Sequence, residues 1–213
     1  MSKPYIINAR SEGDHNKEDD PRYVGAMGIL QKPMFRNAIR SQRCLVIADA
    51  FLEGSKSKRL SEPYVVYPQR GQGPFAMAGI WDEWVDVATG ELCRSFAVVT
   101  TVSNQLLQKI GHHRSPVILD RASEELWLNV DAPLSVATSL LKPFDPSEFN
   151  AYRISSEIKS PKAKDFSLLQ PIGERLNKTY DFEIYEDIVL EGMGSTQARK
   201  RRQDEGEQMD MFG

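Results

Sequence analysis

Short runs of β-branched and aromatic residues, each closed by a polar or Gly/Pro-containing stretch, recur along this chain from Tyr5 to Ile154. An extended run of this kind leaves its main-chain N–H and C=O groups unpaired until another strand lies beside it. The runs are Tyr5–Arg10, Arg43–Leu52, Pro63–Tyr67, Phe75–Trp81, Leu92–Thr101, a buried stretch after Ser115, and Asn150–Ile154. Pro and Gly separate the third from the fourth, and Thr89-Gly90 marks a hairpin into the fifth. Many strands with few crossover helices predict an α+β fold: one domain of curved, mainly antiparallel, barrel-like sheet with short helices.

Helical signals are brief. Lys32–Ile39 reads as a short helix with Pro33 in its first turn. Ser103 or Asn104 caps a helix that Gly111 stops. Ser123–Leu128 and Leu134–Leu141 complete the set, the last ended by Pro143. Gly13–Asp20 is a charged turn without apolar period, and Gly54–Glu62 a basic, polar loop. Beyond Glu157 the pattern weakens, although Asp181–Leu190 carries enough apolar residues to dock as strand or helix. Residues 191–213 are too polar to pack and are expected to be a disordered tail after a domain spanning 1–190.

A net charge of −3 excludes a coat of basic residues, so any nucleic acid would have to meet positive charge gathered in a groove. No apolar run approaches the ~18 residues of a membrane span. Nothing at the start reads as an export signal, and the expected location is cytoplasmic. The two cysteines, Cys44 and Cys93, lie in apolar strand-like stretches and read as packed thiols.

Taken singly, the polar residues that could do chemistry stay open to plain readings. Glu53 ends an apolar run; a carboxyl at a core edge has a raised pKa and can act as a general acid, or is a solvated strand end. His112 follows the helix-stopping glycine and is one of three histidines, with His15 and His113. It is a proton-transfer group or a turn residue. Asn8 and Arg10 alternate along a strand and face the same way, so they could hold a sugar and a phosphate or simply be surface polars.

Their joint order is more specific. Asn8-Ala9-Arg10-Ser11-Glu12, Arg43-Cys44-Leu45 continuing to Glu53, Phe75–Trp81, Thr100-Thr101 with Asn104, and His112-His113-Arg114-Ser115-Pro116 together resemble the SRAP family, the SOS-response-associated peptidases. The resemblance runs from about Ile6 to Ile154. It implies abasic-site sensing and processing on single-stranded DNA without a cofactor or metal, by a monomer. In that family an amino-terminal cysteine closes to a thiazolidine on the ring-opened sugar, with autopeptidase and lyase character. The resemblance implies that Asn8 positions the adduct, that Glu53 transfers protons, that His112 assists ring opening, and that Arg10 holds a phosphate. Basic residues of the Ser55–Arg59 loop would add phosphate contacts.

The departures are specific too. Met1–Ile7 contains no cysteine, and Ser2 offers only a hydroxyl. The expectation is therefore a recognisable site without its nucleophile, in a domain whose first strands are missing, whether by a truncated gene model or by real loss. The rival is a nucleophile-less adaptor that only binds DNA or a sliding clamp. Ile47, Ala50, Leu52, Gly54 and Ser115 replace the family's usual residues. At the other end, Gln208-Met209-Asp210-Met211-Phe212 resembles the bacterial sliding-clamp-binding pentapeptide. A glutamine that hydrogen-bonds and apolar anchors that fill a pocket suit a tethered ligand.

Overall fold

The first described strand, β1 (Asn8–Arg10), runs parallel to β6 (Leu92–Val102), with Arg10 opposite Thr100. β6 pairs antiparallel with β5 (Phe75–Val85), and β5 with β2 (Arg43–Ala48). This computed structural model describes residues 8–69, 73–160, 162 and 165–178. Met1–Ile7, the Asp181–Leu190 segment, the 191–213 tail and its Gln208–Phe212 motif lie outside the described residues. Within them, 8–68 and 73–176 form one compact unit. No helix among them is long and apolar enough to cross a membrane.

The β5–β6 ladder pairs Gly79 with Val98 and Val85 with Leu92 at its two ends, and beyond Gly79 and Val98 the strands part. Residues 114–119 enter the fork. β7 (Arg114–Pro116) pairs with β6, β8 (Ile118–Leu119) pairs with β5, and Val117 bonds to both, at 3.0 Å to the Val99 carbonyl and 2.9 Å from the Ala78 amide. This wedge seats the His112–Arg114 segment at the end of the sheet. A second, three-stranded sheet runs β3 (Phe51–Ser55), β4 (Arg59–Pro68), β9 (Phe149–Arg153), all antiparallel.

Two apolar clusters hold these layers. Ala78, Ile80, Ala97 and Val99 share one face of the six-stranded sheet. On that face pack Ile39, Trp127 and Ala137, from α1 (Ala38–Ser41), α3 (Arg121–Leu128) and α4 (Leu134–Ser139). The buried Trp127 donates its indole N–H to the Cys44 carbonyl at 2.9 Å. Arg43 donates to the carbonyls of Ile39, Arg40, Trp127 and Asn129, so one guanidinium satisfies the open carbonyl ends of both α1 and α3. The second cluster joins the smaller sheet to α2 (Gln105–Ile110) through Val66, Phe149, Ala151, Leu106, Leu107 and Ile110.

The main departure from the sequence reading is at Arg43–Leu52. This mainly apolar run is two strands in two sheets: the chain leaves β2 at Ala48, bends at Asp49-Ala50 and starts β3 at Phe51. Both halves bury a face, and the single acid between them, Asp49, reads equally as one polar position within a longer strand. Glu53 consequently lies inside β3 and not at a strand end, beside a bulge between Glu53 and Ser55. The polar 54–62 stretch is mostly a hairpin, with β4 beginning at Arg59. Residues 33–37 form turns, and only Ala38–Ser41 is α-helix.

Candidate active site

The helix α2 is built to deliver His112. Asn104 caps it, accepting from the Leu107 amide at 3.0 Å. At the other end Gly111 takes a left-handed conformation, φ 79°. Its amide donates to Gln108, and the His112 amide donates to Leu107. That pair of bonds is a Schellman ending, which turns the chain sharply and fixes the first residue after the turn. The turn is also tied to the β3–β4 hairpin, since the Lys56 amide donates to the Gly111 carbonyl at 3.0 Å.

Glu53 arrives from the opposite side. At the bulge, Gly54 lies so close to Arg59 that an added Cβ would sit 2.0 Å from the Arg59 carbonyl oxygen, leaving no room for any side chain. The Gly54 amide donates to Glu53 Oε1 at 3.1 Å, and the Gly54 carbonyl faces His112 Nδ1 at 2.7 Å. A carbonyl can only accept, so Nδ1 carries the proton and the neutral ring presents its lone pair at Nε2. His112 Nδ1 also lies 3.2 Å from Glu53 Oε1, which leaves Oε2 to hold an acid proton.

Both groups are shifted toward their neutral forms. Burial pushes the Glu53 carboxyl up to about 7, against the opposing pull of the Gly54 amide. Burial lowers His112, with the Gly54 hydrogen bond acting the other way. Near neutral pH the site thus holds a partly protonated carboxyl beside an uncharged imidazole, an acid and a base in contact.

That arrangement has a stability consequence. A carboxyl whose folded pKa exceeds its unfolded 4.5 costs nothing below pH 4.5; the cost grows as pH rises and is complete above about 7. The Glu53 side chain is 24% exposed. After discounting for that solvent access the cost is about 2 kcal/mol, or about 4–8 °C of melting temperature. His112, lowered from its ordinary value, has the opposite sign and gains stability as pH rises. Glu53→Gln is therefore expected to melt above the parent at pH 8 and level with it at pH 4.5. Equal melting temperatures at pH 8 would refute the buried-carboxyl assignment.

A chain of charges leads outward from this pair. The His112 and His113 rings lie 4.8 Å apart. His113 Nε2 is 3.7 Å from Asp19 Oδ2, which accepts from Lys56 Nζ at 2.9 Å. Asp19 Oδ1 accepts from Arg10 Nη2 at 2.6 Å, and Nη2 also donates to the Asn16 carbonyl. Behind them Arg114 and Glu12 form an ion pair at 2.8 Å, 10% and 2% exposed, with Thr100 Oγ1 as a second acceptor for Nη2.

Of the residues singled out from sequence, Glu53 and His112 meet directly. Arg10 joins them through Asp19 and His113. Asn8 stands exposed two residues before Arg10 on the same side of β1. Asp19, His113 and the Glu12–Arg114 pair carry no role in the sequence reading. Only the Ser11/Glu12 and His/Arg positions of the motifs hinted at the last. Cys44 and Cys93 are free thiols within β2 and β6, and burial raises Cys44 away from the reactive thiolate.

Comparison with known proteins adds an independent line. The family model described as SOS response associated peptidase (SRAP) matches residues 24–161, a stretch that includes Glu53 and His112. Abasic site processing protein YoqW of Bacillus subtilis (strain 168) is 35% identical over 147 residues, covering 67% of this chain and 63% of that protein. Abasic site processing protein HMCES of Gallus gallus is 27% identical over 183 residues, covering 73% of this chain and 54% of its own length. The chain thus spans 63% of the length of the Bacillus relative. A solved structure of a protein from Bacteroides thetaiotaomicron is similar, with a TM-score of 0.64 at 34% identity, covering 78% of this chain and 66% of that one.

Proposed function

Because the chain belongs to the SOS response associated peptidase (SRAP) family, we propose that its folded region binds single-stranded DNA at an abasic site and moves protons on the exposed sugar. The observation that carries the reading is the contact between Glu53 and the neutral His112. The names of the Bacillus and Gallus relatives, both abasic site processing proteins, supply the substrate class.

An abasic deoxyribose is a cyclic hemiacetal. Opening it removes a proton from the anomeric hydroxyl, breaks the bond between C1′ and the ring oxygen, and adds a proton to that oxygen. The products are an aldehyde at C1′ and a hydroxyl at C4′. His112 Nε2 is suited to take the first proton, and Glu53 Oε2 to give the second. The same pair can run the steps backward, as microscopic reversibility requires. Opening should slow above pH 7, as Glu53 loses its proton, and at acid pH, as His112 gains one. Where a cysteine with a free α-amine precedes these residues, the aldehyde so produced is the species an amine and a thiolate on adjacent atoms would capture as a thiazolidine.

Arg10 and Lys56 supply the positive charge beside the pair. Arg10→Ala is expected to weaken single-strand binding about tenfold and to flatten its salt dependence, because fewer counterions are released. Fluorescence anisotropy across a salt series reads both quantities. An unchanged affinity and slope would move the DNA to another face.

A further inference from the structure

Arg10 and Lys56, the two cations best placed for phosphate, are both already engaged. Each donates to a different oxygen of Asp19, at 2.6 and 2.9 Å, and His113 faces the Lys56-bound oxygen at 3.7 Å. The Asp19 side chain is only 8% exposed, although it sits in a surface turn. Burial alone would raise its pKa; the Lys56 hydrogen bond and the charges of His113 and Arg10 outweigh that and hold it below the ordinary carboxylate value.

The turn is shaped to present this one group. Asp19 has a left-handed backbone, φ 58°, and its amide bonds to the Asn16 carbonyl. Asn16 in turn accepts from the Asp20 amide and donates to the Asp20 carbonyl, closing the turn around Asp19. Asn16 is buried, so the turn is a fixed part of the fold. An anion with two oxygens, held by a guanidinium on one and an ammonium on the other, has the binding pattern of a phosphodiester.

We propose that Asp19 is a built-in occupant of the phosphate seat, an autoinhibitory contact that single-stranded DNA must displace before Arg10 and Lys56 can hold its backbone. This presupposes that Arg10 and Lys56 meet DNA phosphates. Displacement makes binding an exchange of one anion for another. It lowers affinity for any single strand and leaves selection to the groups that touch the sugar.

Asn adopts the left-handed conformation as readily as Asp and keeps the shape of the side chain without its charge. Asp19→Asn is therefore expected to bind a single-stranded oligonucleotide about fivefold to tenfold more tightly than the parent at low salt. Its salt dependence should be steeper by about one phosphate's worth, roughly 0.7 in the log–log slope. The gain should be equal for an intact oligonucleotide and for one with an abasic site, because the seat reads phosphate alone. If the parent binds and Asp19→Asn binds equally or more weakly, the autoinhibitory role is overturned while the DNA-binding reading stands. If neither binds at any salt, that reading fails and takes the proposal with it. Should the variant melt far below the parent, carbon-13 NMR of the Asp19 carboxyl in the parent decides. Release on adding the oligonucleotide raises its pKa into the ordinary carboxylate range, and an unmoved signal with DNA bound overturns the proposal.

Discussion

Glu12→Ala is expected to cost the fold about 3–5 kcal/mol and to lower its melting temperature by about 10 °C or more. Glu12 and Arg114 are both at least nine-tenths buried and meet at 2.8 Å. Arg114 Nε and Nη1 are buried with no hydrogen-bond partner among the described residues, so both of its bonds, to Glu12 and to Thr100, run through Nη2. Removing the carboxylate strands a guanidinium that water cannot easily reach. The pair also joins the exit of β1 to β7, on either side of β6, one residue after His113. Replacing both partners with apolar residues of similar size, Glu12→Leu with Arg114→Met, should recover much of the loss, because no buried charge is then left alone. Thermal unfolding measures all three proteins. A single-variant loss below 1 kcal/mol would mean that solvent reaches Arg114 after all.

The second large effect is expected in chemistry. A positioned acid or base contributes about 10²–10⁴ in rate, so Glu53→Gln and His112→Ala should each slow opening of the abasic sugar by that order. Affinity for the oligonucleotide should change little, since Arg10 and Lys56 hold the phosphates. Glu53→Gln should also remove the decline in rate above pH 7 that the parent shows. A variant that loses binding in proportion to rate would turn Glu53 into a structural residue.

Much of the local architecture could be read in advance because it rests on short-range rules. Asn104 caps α2 through its own side chain, Gly111 ends it in a left-handed turn, and Thr89-Gly90 joins β5 to β6. The sheet corner at Asp49-Ala50 could not, because the run is apolar on both sides of the bend and one acid between them reads equally as a polar position within a single strand. The wedge of residues 114–119 between β5 and β6 is likewise a product of long-range pairing.

For the site, the limit was sequence distance. Glu53 and His112 are 59 positions apart, and neither segment by itself separates a reactive group from an ordinary one. Only their order alongside the other motifs pointed to a family. Asp19 looked like one acid among several in a charged turn, and nothing local tells that its carboxylate reaches Arg10, Lys56 and His113. Gly54 departs from the family's usual residue beside Glu53, yet burial still raises that carboxyl to about 7, because the His112 turn packs against the bulge.

The most direct measurement is the rate at which the two anomers of an abasic sugar interconvert. Interconversion passes through the open aldehyde and requires proton transfer but no nucleophile. A single-stranded oligonucleotide labelled with carbon-13 at C1′ of one abasic site reports it by exchange NMR, with and without saturating protein. The expected result is exchange about 10²-fold or more faster on the bound oligonucleotide, returning to the free rate with Glu53→Gln while binding persists. Unchanged exchange on oligonucleotide that is demonstrably bound would contradict the assignment of Glu53 and His112 as the proton-transfer pair.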